Sequence, residues 1–190
     1  MIFYTADLHF GHENVIKYDN RPFNSVDHMN KDMVRRWNDK VRNTDEVYIL
    51  GDFSLHDTKL AREISKQLHG KKYLIKGNHD EPEMKDIFDG MWDYKRIKDN
   101  KRTVILSHYF IPSYEGANNG NIMLHGHSHN TRVAKAEEDI KGIYKFVNHI
   151  PCQAYNAGCM YFDYAPATLD EIIDFWEHNV PDFSLDNNYR

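Results

Sequence analysis

Five times along this chain a short apolar run ends in a cluster of Asp, His or Asn. The clusters are Asp7-Leu8-His9, Gly51-Asp52, Gly77-Asn78-His79-Asp80, Ser107-His108 and Gly126-His127-Ser128-His129. Runs this brief, bounded by polar turns, read as buried strands rather than helices. Polar clusters at strand ends are what an open α/β sheet uses, since its sites form beyond the carboxyl ends of the strands. In an extended segment residues i and i+2 face the same way. Asp7 with His9, and His127 with His129, can therefore each serve one cluster.

Between the clusters the apolar spacing turns helical. Val26, Met29, Met33 and Trp37 recur over residues 25–41 behind a Ser25 N-cap. Leu60, Ala61, Ile64 and Leu68 share a helical face that Gly70 stops. Thr168-x-x-Glu171 is a capping box opening a last helix. Strands are expected at 1–6, 46–50, 73–75, 91–98, 102–107 and 121–124, and again at 143–147 and 160–164. Helices alternate with strands early and strands gather late, so the expected class is α/β with more than one sheet. No repeat or linker divides the chain, and a single domain over residues 1–190 is expected.

Composition narrows the function. With 41% hydrophobic and 28% charged residues, the chain is neither disordered nor fibrous. No apolar run approaches the ~20 residues needed to span a bilayer, so no membrane partner is expected. Met1 leads directly into Ile2-Phe3-Tyr4 without a basic leader, and the two cysteines suit a reducing compartment, which reads as cytoplasmic. A net charge of −5 argues against long nucleic acid. Histidine is the outlier, at 12 of 190 residues. It is the commonest metal ligand and the usual acid–base group near neutrality.

The residue types fit one chemistry. Imidazole and carboxylate together select transition ions over Ca or Mg. One Asp can bridge two ions about 3.5–4 Å apart, and such a pair acidifies a shared water and polarises a phosphoryl oxygen. A lone D-x-H means little, but G-H-x-H arises by chance in about one chain of this length in 40, and G-N-H-[DE] in about one in 400. All of them in order, each after an expected strand, is not a chance arrangement.

In this order of motifs the chain resembles the calcineurin-like metallophosphoesterases, whose pattern is D-x-H, G-D, G-N-H-[DE], H and G-H-x-H. The motifs run from Asp7 to His129, about two-thirds of the chain. The resemblance implies a β-sandwich of two mixed sheets flanked by helices. It implies two divalent transition-metal ions, manganese first, with iron, zinc, cobalt or nickel as alternatives. Asp7, His9, Asp52 and His129 would hold the first ion, and Asn78, His108 and His127 the second, with Asp52 bridging. His79 matches the histidine that protonates the departing alkoxide or stabilises charge there.

Departures from the pattern are informative. Protein serine/threonine phosphatases continue the second motif with an Asp that orients this histidine, followed by a phosphate-binding Arg. Here Phe53-Ser54-Leu55-His56 follows, so a protein phosphatase is disfavoured and the partner of His79 is open, with Asp80 and Asp57 as acidic candidates. The recombination-nuclease branch adds a DNA-binding cap, for which 190 residues leave little room.

The expected activity is metal-dependent hydrolysis of small phosphodiesters of cyclic or linear nucleotide type. Phosphomonoesterase action on a small metabolite or nucleotide is the alternative, and a non-catalytic metal-binding scaffold is the alternative of another class. Substrate contacts are expected from His12 and Asn14 beside the first motif. Arg21 is a candidate bidentate phosphate grip, and Tyr114 a platform for a base. His28, His56, His69, His149 and His178 read as structural. The sequence leaves the oligomeric state open.

Overall fold

The computed structural model describes residues 1–179 together with Pro181 and Phe183. Strands β1 (Ile2–Thr5), β2 (Glu46–Ile49), β3 (Lys71–Ile75) and β4 (Gly90–Trp92) pair in that order, all in parallel. Strands β5 (Tyr94–Asp99), β6 (Arg102–Ser107), β7 (Ile122–His125) and β8 (Ala154–Asn156) form a second sheet. In it β5 runs antiparallel to β6 and the other pairs are parallel. The helices are α1 (Glu13–Tyr18), α2 (Val26–Lys40), α3 (Thr58–Ser65), α4 (Arg132–Asn148) and α5 (Leu169–His178).

Strand alternation dictates the layers. Phe3, Val47, Ile49 and Leu74 leave one face of the first sheet and pack on Met29, Met33 and Trp37 of α2 and Ala61 and Ile64 of α3. Their neighbours Tyr4, Tyr48 and Ile75, with Leu50, take the opposite face and meet Val104, Leu106, Ile122 and Leu124 of the second sheet, with Leu169 and Ile172 of α5 joining them. Ile105, Met123 and Ala154 face outward from the second sheet and are covered by Tyr114, Ala117 and Tyr144. Each fully buried Leu, Ile, Met or Phe stabilises by roughly 1.5–3 kcal/mol relative to exposure. The architecture is a β-sandwich flanked by helices, its first sheet wholly parallel and its second mixed.

The helix starts follow the sequence signals. Ser25 accepts the His28 N–H, Asp57 accepts the Leu60 N–H, and both arms of the Thr168–Glu171 capping box are made. No described helix is long and apolar enough to cross a membrane.

Three expected strands differ. Residues 143–147 belong to α4, whose Ile140, Ile143, Phe146 and Val147 are exposed at helical spacing. The apolar run there signals a solvent-facing helix stripe rather than a pleated strand. Residues 160–164 continue a 3₁₀ turn over Cys159–Tyr161 and end with Asp163 and Tyr164 at φ 52° and 56°, which no ladder accommodates. The last strand of the second sheet is instead β8, whose three residues are too few to show periodicity. The run expected at 91–98 breaks at Asp93, sending β4 to one sheet and β5 to the other.

Candidate metal centre

Each motif occupies the segment just beyond a strand: Asp7 and His9 follow β1, Asp52 follows β2, Asn78 and His79 follow β3, His108 follows β6, and His127 and His129 follow β7. Backbone bonds draw these segments together. Asp7 N–H donates to Gly51 O at 3.1 Å, His9 N–H to Asp52 O at 2.9 Å, and Gly126 N–H to His108 O at 2.9 Å. The Asp80 carboxylate accepts the N–H groups of Asp52, Phe53 and Gly77 at 2.8, 2.9 and 2.9 Å. Crowding explains two motif glycines. A Cβ on Gly51, which sits at φ +90°, would lie 2.2 Å from His108 Nδ1, and one on Gly126 would lie 2.8 Å from Asp7 Oδ2. Asp7, His9, Asp52, His127 and His129 adopt left-handed backbone at φ 56°, 52°, 55°, 73° and 48°. Each such residue costs on the order of 1–3 kcal/mol and persists only where the surroundings enforce it, as at functional sites.

Two clusters result. The donor atoms of Asp7, His9 and His129 lie within 4.8 Å of one another, as do those of Asp52, His108 and His127. Asp52 stands between them. Its Oδ2 is 3.6 Å from His9 Nε2 and 3.6 Å from His108 Nε2, while its Oδ1 accepts the His79 N–H at 3.0 Å. Asn78 Oδ1 joins the second cluster, 3.1 Å from His108 Nε2 and 3.0 Å from His127 Nδ1.

The surroundings fix which nitrogen faces inward. His108 Nδ1 donates its proton to Leu50 O at 2.8 Å, leaving a lone pair at Nε2. His129 Nδ1 donates to Asp19 at 2.8 Å, and Asp19 accepts Arg21 Nε and Nη2 at 3.1 and 2.9 Å. With Nδ1 donating, His108 turns the Nε2 lone pair toward the Asn78 and Asp52 oxygens, which are themselves acceptors. A cation satisfies all three at once, and imidazole with carboxylate suits a transition ion. The residues present fit two divalent ions, one at each cluster, as in a dinuclear metal-dependent hydrolase.

Electrostatics separates the clusters. Burial lowers the pKa of His9 well below its ordinary value and brings His127 down to about 4. Burial would also lower His129, but Asp19 and Asp7 outweigh it and raise that residue. Burial raises Asp7, partly offset by His129 and His108. Protons and ions compete for the same lone pairs. The first cluster sets the raised His129 and Asp7 against the lowered His9, whereas His127 of the second is lowered, so the first should begin to release its ion at higher pH. Elemental analysis after dialysis at successively lower pH should show one equivalent lost before the other. Simultaneous loss would contradict this.

The expected substrate residues fare differently. Arg21 is 4% exposed and donates from Nη1 to Leu8 O and from Nη2 to Asp7 O, both at 2.9 Å. It braces the first motif from behind, so the expected phosphate grip is corrected to an internal ion pair. Tyr114 is also corrected: it is 5% exposed, packs under the second sheet, and donates its hydroxyl to Asn121 O at 2.7 Å. His12 is half-buried, its ring 5.5 Å from that of His9. Asn14 lies exposed in the first turn of α1. His79 faces a cleft of about 270 Å³ with His9, Asp52, Asn78, His127 and His129, and Thr131 and Val133 line it from the start of α4. Asp80 and Asp57 do not approach the His79 ring, being engaged with backbone N–H groups.

Sequence reasoning passed over Asp19, although opposite charges at Asp19-x-Arg21 were the available signal. It also passed over Tyr109, adjacent to His108, a residue 48% exposed with its ring 4.7 Å from that of His127.

No family model matches the chain. It is 34% identical to the uncharacterized protein MJ1445 of Methanocaldococcus jannaschii, over 93% of this chain and 91% of that one. It is 28% identical to the gene 66 protein of Mycobacterium phage D29, over 67% of this chain and 78% of the phage protein. The crystal structure of AQ665 from Aquifex aeolicus, a protein of unknown function, superposes with a TM-score of 0.70 at 28% identity, covering 92% of this chain and 98% of that one. This sandwich and these paired clusters match the fold of the calcineurin-like metallophosphoesterases. The chain belongs to one family with MJ1445.

Proposed function

We propose that the protein hydrolyses small phosphodiesters of cyclic or linear nucleotide type, as a single domain that carries its whole site. The carrying observation is Asp52 Oδ2, 3.6 Å from an imidazole of each cluster, the position of a bridging ligand. Bound ions supply an acidified water and neutralise phosphoryl oxygens. The chain's own residues do the rest. Asp52 Oδ1 fixes the His79 backbone, and His79 in the cleft delivers a proton to the departing oxygen. The cleft of about 270 Å³ suits a small substrate, and the exposed Tyr109 ring beside His127 offers a face on which a base can stack. Manganese suits the mixed imidazole and carboxylate donors, and the two free, buried cysteines suit the cytoplasm.

Hydrolysis of bis-p-nitrophenyl phosphate beside p-nitrophenyl phosphate, with manganese added, tests the reading. Faster turnover of the diester, abolished by a chelator, is expected. Preference for the monoester would shift the substrate to phosphorylated metabolites or nucleotides, a reading that His79 in the cleft also supports. No turnover of either by protein with two bound ions would sink the enzymatic reading and favour a scaffold.

A further inference from the structure

The acid in that reaction needs an orienting partner, and neither Asp80 nor Asp57 supplies it. The His79 ring meets another imidazole instead. His79 Nδ1 lies 3.4 Å from His56 Nε2, and His56 Nδ1 lies 2.5 Å from Glu81 Oε1. The contact is not confined to side-chain tips. His56 N–H donates to His79 O at 3.4 Å, and the two rings stand edge to face with centroids 5.3 Å apart. His56 also adopts left-handed backbone at φ 47°, as do five of the cluster residues. Strain of this kind at a residue beside a site is a pointer to function.

We propose that Glu81 and His56 form a positioning chain that holds His79 for protonating poor, alkoxide-type leaving groups. The proposal rests on the phosphoesterase reading above and deepens it toward alkyl phosphodiesters. The polarity follows from the donors. Glu81 is acceptor-only, so His56 gives it the Nδ1 proton and keeps a lone pair at Nε2. That lone pair accepts the Nδ1–H of His79, which leaves His79 Nε2 as the nitrogen free to serve the cleft. Hydroxide oxygen forms the new bond to phosphorus as the ester P–O bond breaks. The electron pair stays on the departing oxygen, which takes the Nε2 proton of His79. Neutral His79 retains Nδ1–H toward His56, and solvent restores the Nε2 proton.

A surface His–Glu pair that merely closes a turn is the competing account, and leaving-group dependence separates the two. A p-nitrophenolate departs without an acid, whereas a methoxide does not. The side chains of His56 and Glu81 are 53% and 38% exposed, so replacing them opens no core cavity. The manganese-loaded protein is assayed on the p-nitrophenyl and methyl esters of one nucleoside 5′-phosphate. His56→Ala should lower kcat for the methyl ester about 10–100-fold and for the nitrophenyl ester less than about threefold, with KM unchanged. His56→Gln, whose amide oxygen can accept in place of Nε2, should recover most of the loss. Adding His56→Ala to His79→Ala should cost nothing further, because groups that act as one unit are not additive.

Equal losses on the two esters, or a further loss in the His79→Ala background, would overturn the chain. Nitrogen-15 spectra of the zinc-loaded protein give a readout independent of turnover. At a pH where its Nε2 proton has been lost, His79 should show the Nδ1–H tautomer in the parent and a tautomer mixture in His56→Ala, and an unchanged spectrum would also overturn the proposal. If no phosphoester is hydrolysed at all, the phosphoesterase reading fails, while the spectra still decide whether His56 holds His79.

Discussion

Asp52→Asn should remove essentially all turnover, a loss of about 10³-fold or more, since each tenfold corresponds to about 1.36 kcal/mol of barrier and a bridging ligand serves both ions. The two oxygens of Asp52 have separate duties: Oδ1 accepts the His79 N–H, and Oδ2 stands between His9 and His108. An amide can perform only the first. Its NH₂ would then face the His108 Nε2 lone pair as a donor, satisfying the metal-free site while repelling ions. Urea melts of the metal-free variant should match the parent within about 1 kcal/mol. Elemental analysis should show its metal content lost. Two retained ions with turnover within tenfold of the parent would remove Asp52 from the bridging position.

The second large effect concerns stability. Asp19→Ala should destabilise the fold by about 3–5 kcal/mol, because it strands a buried guanidinium. Asp19 and Arg21 both have fully buried side chains, with 2.9 Å between Oδ2 and Nη2. Arg21 would keep the carbonyls of Asp7 and Leu8, a sulfur contact with Met29 and the face of the Tyr164 ring, but no carboxylate. The same change releases the His129 ring, so affinity at the first cluster should fall about 10–100-fold. Joint replacement, Asp19→Ala with Arg21→Met, should recover part of the stability without recovering the affinity. Urea denaturation and metal titration of the three variants check both halves. Equal stability of Asp19→Ala and the parent would contradict the ion-pair account.

What the sequence revealed depended on how local each determinant is. The Ser25 and Thr168 caps, the α2 and α3 faces and the strand-end clusters are written within a few residues of themselves, and they appear where expected. Periodicity failed where an apolar run had no core to face: Ile143, Phe146 and Val147 have the composition of a strand but lie on the open side of α4. It failed again for β8, whose pairing with β7 is set by tertiary context. The metal clusters were legible because donor identity and order suffice to find them. The surroundings were not, since Arg21 and Tyr114 have side chains equally suited to phosphate, base or the backbone carbonyls they meet. Nor does spacing reveal that Asp19 reaches His129 across 110 positions.

The clusters draw on both sheets. Asp7 and His9 leave the first sheet to meet His129 from the second, and Asp52 and Asn78 meet His108 and His127 likewise. An ion held at each cluster would therefore clasp the halves of the sandwich, joining positions as far apart as Asp7 and His129. A clasp of this kind closes once the halves have docked, and we expect it to form after the folding transition state. Interactions absent from the transition state slow unfolding and leave the folding rate nearly unchanged. Metal loading should thus lengthen the lifetime of the folded chain without hastening its formation, making resistance to proteolysis a gauge of occupancy.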